Sequence, residues 1–105
     1  MMFLYKETTA LIKRKRIMDE ILEISKAIRQ LKNDKEVCSF LNEILTKAEL
    51  EDISKRWRIL KMLNEGCTQR DIAKALNVSL CKITRGSQII NDKNAVSRKY
   101  LQMKG

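Results

Sequence analysis

Apolar residues recur at helical spacing along nearly the whole of this 105-residue chain. Between residues 8 and 31, Ile17, Ile21, Ile24, Ile28 and Leu31 alternate at steps of four and three, and Leu11, Met18 and Leu22 widen the stripe. That spacing predicts one long helix over 8–31. Its apolar face is broader than a small single chain covers, which points to helix packing across a homodimer; an intrachain core face is the alternative. The preceding residues, 1–7, read as a loose arm. Asn33 with Glu36 forms a capping pair for a short helix over 34–45, with Val37, Phe40, Leu41 and Ile44 on its buried side. Thr46-Lys47-Ala48-Glu49 is a capping box, and it predicts a helix over 47–65. Leu50, Ile53, Trp57, Leu60 and Leu63 line its expected core face, with Trp57 as core rather than as a stacking platform. Gly66 ends that helix. A last helix over 94–103 offers Val96, Tyr100 and Leu101 to the core. The fold class is therefore all-α, with five or six helices in a single domain.

The most informative stretch runs from Thr68 to Gln88, within a segment spanning 68–91. Ile72, Ala73, Leu76, Val78 and Ile83 are its apolar positions. Thr68 is placed to cap a first short helix, and Asp71 favours the helix start electrostatically. Ala73 supplies the small side chain that two crossing helices need. Asn77 stands where a left-handed backbone is wanted, a conformation asparagine tolerates. Ser79 is placed to cap a second helix. Two short helices joined in this way form a helix-turn-helix, whose second helix lies in the DNA major groove. An ordinary αα-hairpin in a helical core is the bland alternative.

Charge favours the DNA reading. The chain has 22 Lys and Arg against 13 Asp and Glu, a formal net charge of +9. Residues 1–31 carry 7 basic and 4 acidic groups, residues 32–65 carry 7 and 7, and residues 66–105 carry 8 and 2. The excess lies mostly on the helix-turn-helix and the residues C-terminal to it, as a phosphate-binding surface requires. A second basic run, Lys13-Arg14-Lys15-Arg16, reads as a solvated face with a possible role at DNA flanks.

Other chemistries find little support. Cys38, Cys67 and Cys81 have no metal-ligand spacing and there is no histidine, so a metal site is not expected. Each cysteine reads as small apolar filler in a reducing cytoplasm. The first residues have the wrong charge order for a secretory signal, and no apolar run reaches membrane length, so no membrane partner is expected. With no histidine base, no phosphate loop and no paired carboxylates in an apolar setting, catalysis is not expected either.

On a helix-turn-helix, the amino end of the second helix meets the base edges. Here it carries Ser79, Leu80, Cys81, Lys82 and Thr84. Leu80 and Cys81 suit a thymine methyl, while Lys82 and Thr84 reach phosphates or base acceptors. Arg70 has the reach for a bidentate contact to guanine; Gln69 and Lys74 suit phosphate.

The strings Leu45-Thr46, Arg56-Trp57-Arg58-Ile59, Thr68-Gln69-Arg70-Asp71-Ile72 and Ile83-Thr84-Arg85-Gly86-Ser87 resemble the tryptophan operon repressor family, over about residues 40–90. The resemblance implies an intertwined, all-helical homodimer that represses transcription when L-tryptophan binds as corepressor, with no other cofactor. It implies that Arg56 and Arg85 sandwich the indole and that Thr46 lies near the ligand carboxylate. It further implies that the backbone carbonyls of Leu41, Glu43 and Leu45 hold the ammonium, and that Gly86 leaves room for the ring. Guanidinium planes do stack well on aromatic faces and pair with carboxylates. Three features depart from the family pattern: Lys82 in place of threonine, Ile89 in place of serine, and a link at Gly66-Cys67-Thr68 that is one residue shorter. Two further readings compete. One is a regulator of the same fold that does not respond to tryptophan. The other is a protein-interaction adaptor that uses the long apolar helix.

Overall fold

The computed structural model describes residues 9–104; the arm expected over 1–7 lies outside them. Six helices succeed one another among the described residues: α1 (Ala10–Gln30), α2 (Asp34–Ile44), α3 (Lys47–Asn64), α4 (Gln69–Leu76), α5 (Leu80–Asn91) and α6 (Val96–Lys104). The chain divides into two compact units, Met1–Ile44 and Leu45–Gly105.

In the first unit, Thr9 caps α1 by accepting a hydrogen bond from the Ile12 amide at 3.2 Å. Asn33 Oδ1 accepts from the Glu36 amide at 2.9 Å to start α2. The Glu36 carboxylate reaches back to the Lys32 amide at 2.8 Å, one residue earlier than a capping box would place it. Neither helix buries a single side chain. The expected stripe on α1 is on the surface of the chain, with Ile17, Met18, Ile21 and Leu22 each about half exposed. The expected buried side of α2 is only half-buried at Val37, Phe40 and Leu41, and Ile44 is exposed. Two amphipathic helices enclose too little volume to take side chains fully out of water.

The second unit holds the core. The capping box at the start of α3 is present in both directions: the Glu49 amide donates to Thr46 Oγ1 at 3.1 Å, and the Thr46 amide donates to Glu49 Oε1 at 2.8 Å. The Thr46 amide, and secondarily its hydroxyl, hold the Glu49 carboxyl below its ordinary 4.5. At its other end α3 closes in a Schellman turn. Gly66 takes φ 93°, its amide bonds to the Leu63 carbonyl, and the Cys67 amide bonds to the Met62 carbonyl, each at 3.0 Å.

Ile59 of α3, Ile72 of α4 and Ile83 of α5 meet at the centre, each no more than 1% exposed. Met62, Leu63, Cys67, Ala73, Leu76 and Val78 pack around them. The helix-turn-helix apolar set thus lies where its spacing put it, but the face of α3 does not. Ile59 is the buried residue, while Ile53 and Trp57 are 48% and 38% exposed. The helix carries two adjacent apolar stripes, and the one through Ile59, Met62 and Leu63 is taken by α5. Trp57 instead packs against Tyr100 of α6, ring centroids 5.9 Å apart at 48°.

The last helix starts two residues later than expected. The Asp92 carboxylate accepts from the Asn94 amide and its carbonyl from the Ala95 amide, making a turn there. Leu101 is buried as expected, but Val96 and Tyr100 are exposed, because a helix this short turns only one narrow face to α3 and α5. The cysteines also differ from expectation. Cys67 is half-buried against the core, whereas Cys38 and Cys81 are exposed on outward faces of α2 and α5.

Candidate DNA interface and ligand cleft

Local chemistry builds the reading head. The Thr68 hydroxyl accepts from the Asp71 amide at 3.1 Å and starts α4. Asn77 adopts φ 52°, ψ 52°, the left-handed conformation that turns the chain sharply into α5. Ser79 occupies the cap position of α5, but its side chain makes no cap hydrogen bond. The left-handed Asn77 and the burial of Ile72 and Ile83 on either side of the turn hold the entry to α5 instead.

With Ile83 turned inward, the first turn of α5 presents its other side chains outward. Leu80 is 60% exposed, and Ser79, Cys81, Lys82 and Thr84 are exposed beside it. Gln69, Arg70 and Lys74 are exposed on α4. All eight residues expected at DNA are therefore free to meet a duplex. An exposed leucine and cysteine at a helix start suit contact with a base methyl, and the neighbouring cations suit phosphate.

Behind this head, α3 and α5 enclose an open cleft of about 450 Å³, within the range that holds small aromatic ligands. Arg56, Ile59 and Leu60 line it from α3, and Cys81, Lys82, Arg85, Gly86 and Ile89 from α5. Of the residues that the family resemblance assigned to a ligand, Arg56, Arg85 and Gly86 come together here. Leu45 and Thr46 do not line the cleft, and the Thr46 hydroxyl is committed to the α3 cap. Ten residues of helix separate Thr46 from Arg56, roughly 15 Å of rise. Leu41 and Glu43 lie on α2 in the first unit, half-buried and exposed respectively.

Ile59, Leu60 and Ile89 complete the apolar floor, and Lys82 adds a third cation that had been read toward DNA. Their spacing signals them: 56, 59 and 60 share one face of α3, and 82, 85, 86 and 89 share one face of α5.

Gly86 has a second role. A Cβ there would lie 2.9 Å from Ile59 Cγ2 and 3.1 Å from Leu63 Cδ1. The missing side chain lets α5 approach α3 closely, as well as leaving the cleft open. Among the described residues, no group of three or more His, Cys, Asp or Glu is placed to hold a metal ion. Nor, among them, is any helix long and apolar enough to cross a membrane.

Comparison with known proteins places these features in a family. The family described as Trp repressor protein matches residues 19–104. A protein named Trp operon repressor homolog from Xylella fastidiosa strain M23 is 46% identical over 52 residues, 49% of this chain and 56% of that protein. A protein of the same name from Chlamydia trachomatis serovar D is 31% identical over 74 residues, 70% of this chain and 79% of that protein. The match thus spans little more than half the length of the Xylella relatives. No solved structure matches the chain.

Proposed function

The chain belongs to the Trp repressor family, and from that membership we propose that it is a sequence-specific, DNA-binding transcriptional repressor acting as a homodimer in the cytoplasm. Its corepressor on this reading is L-tryptophan and its targets are tryptophan-related operons. The family is one of regulators, and the chain's own chemistry adds no catalytic group to set against that.

One observation carries the proposal: the helix that presents Leu80, Cys81, Lys82 and Thr84 to solvent is the same helix that walls the cleft with Arg85 and Gly86. A flat guest wedged between Arg56 and Arg85 therefore bears directly on the tilt of α5. It shifts the balance of head positions by the difference in its affinity for them. The uncovered apolar stripe on α1 supports pairing of two chains, since two-fold symmetry would set two heads one DNA turn apart.

The test is binding-site selection from random duplexes with and without L-tryptophan. Enrichment of a pseudo-palindrome with half-sites one turn apart, tightened by L-tryptophan, is the expected result. Arg85→Ala should remove the ligand's effect and leave the dimer intact. Selection of no sequence would overturn the DNA reading, and selection indifferent to L-tryptophan would overturn the corepressor reading. That second outcome describes a regulator of the same fold with another ligand or none, favoured by Lys82 and Ile89 on the cleft wall.

A further inference from the structure

We propose that Lys82 sets the ligand class of the α3–α5 cleft, so that planar aromatic carboxylates without an ammonium group bind more tightly than zwitterionic amino acids. The inference rests on the cleft being the effector site.

Three cations, Arg56, Lys82 and Arg85, converge on one cleft, and none of its lining side chains is acidic. The remaining lining is apolar or nearly so. Ile59 is buried, Leu60 and Ile89 are half-buried, and no hydroxyl or amide side chain stands among them to accept from an ammonium. The site makes two demands. The apolar floor and the guanidinium planes suit a flat ring. The three cations suit a negative charge and oppose a positive one, more strongly in a partly dehydrated cleft than in bulk water.

A ligand with both a carboxylate and an ammonium satisfies one demand and offends the other. A ligand with the carboxylate alone satisfies both. Arg56 and Arg85 have planes to offer a ring. Lys82 is a compact charge without such a plane, and its place one turn before Arg85 and Gly86 aims it at the same face of α5. It is therefore the residue whose removal should change the charge preference while leaving the ring's seat in place.

The experiment is calorimetric titration of the full chain and of Lys82→Gln, which keeps length and removes charge. The probes are L-tryptophan, 3-(indol-3-yl)propanoate, which is its frame without the amino group, and tryptamine, which lacks the carboxylate. In the unmodified chain the propanoate should bind on the order of tenfold more tightly than L-tryptophan, a difference of about 1.4 kcal/mol, and tryptamine should bind most weakly. Lys82→Gln should narrow the gap between propanoate and L-tryptophan severalfold. Equal or tighter binding of L-tryptophan by the unmodified chain overturns the inference while leaving the corepressor reading in place. A gap unchanged in Lys82→Gln also overturns it and leaves Lys82 a phosphate contact only. Binding of none of the three probes overturns the inference together with the effector reading of the cleft, and DNA affinity measured on the same protein shows whether the repressor reading outlives them.

Discussion

Replacing Gly86 by alanine tests the packing that holds the reading head to its support. Alanine is the better helix former by about 0.8–1 kcal/mol, so on local grounds the change should stabilise α5. The structure predicts the opposite. The new Cβ would sit 2.9 Å from Ile59 Cγ2 and 3.1 Å from Leu63 Cδ1. Leu63 can move its methyl away, but Ile59 is 1% exposed and branched at Cβ, so its Cγ2 moves only with the backbone or a strained rotamer. Overpacking of this kind costs about 1–3 kcal/mol. Against the propensity gain, a net loss of about 1–2 kcal/mol remains, or on the order of 4–16 °C in melting temperature for a unit of this size. Thermal unfolding followed by circular dichroism, without ligand and at one fixed protomer concentration, reads it out. Ile59→Leu removes the offending branch at nearly constant volume. In that background Gly86→Ala should cost much less, with a coupling of about 0.5–2 kcal/mol between the sites. A rise in melting temperature on Gly86→Ala alone, or additive losses in the double variant, would refute the role given to the glycine and leave its place in the cleft as its whole explanation.

Other substitutions probe separate parts of the account. Asn77 sits at φ 52°, so Asn77→Ala should lose about 1 kcal/mol in a denaturant titration while Asn77→Gly loses little or gains. On the proposed DNA face, Arg70→Ala should cost about 1–3 kcal/mol on the selected site and relax preference at one base pair; equal weakening on random duplexes would reduce Arg70 to a phosphate contact. The Glu49 carboxyl is held below its ordinary 4.5 by the Thr46 amide. A depressed carboxylate contributes stability that is fully present above its unfolded value and lost as pH falls through the folded one. The stability advantage over Glu49→Gln should therefore be constant above about pH 6 and disappear below 4.5, as urea titrations across that range would show.

What could be read directly from residues was local. Thr46 with Glu49, Thr68, Asn77 and Gly66 each act through backbone atoms within a few positions, and each does in the structure what its chemistry implies. Ile72 and Ile83 were legible for the same reason, since the tight turn between them fixes which way both face. The register of α3 was not. Leu50, Ile53, Trp57 and Leu60 make as good an apolar stripe as Ile59, Met62 and Leu63, and the choice falls to whichever face α5 approaches. Gly86 decides that from a distance in sequence that periodicity does not cross. The cleft was half legible. Arg56 and Arg85 came from family resemblance, but the arrival of Lys82 beside them reflects the one-turn spacing on α5. Ser79 and Cys81 show the limit of residue type alone: the serine holds a cap position without a cap bond, and the cysteine faces water.

The central claim is that a cationic helix-turn-helix reads DNA from its exposed face. Fluorescence anisotropy of a labelled selected duplex, titrated with the full chain at several salt concentrations, tests it most directly. Log K should fall linearly with log salt at a slope of about −0.9 per phosphate neutralised, and a scrambled duplex should bind more weakly at every salt. A flat salt response, with selected and scrambled duplexes bound alike, would contradict it.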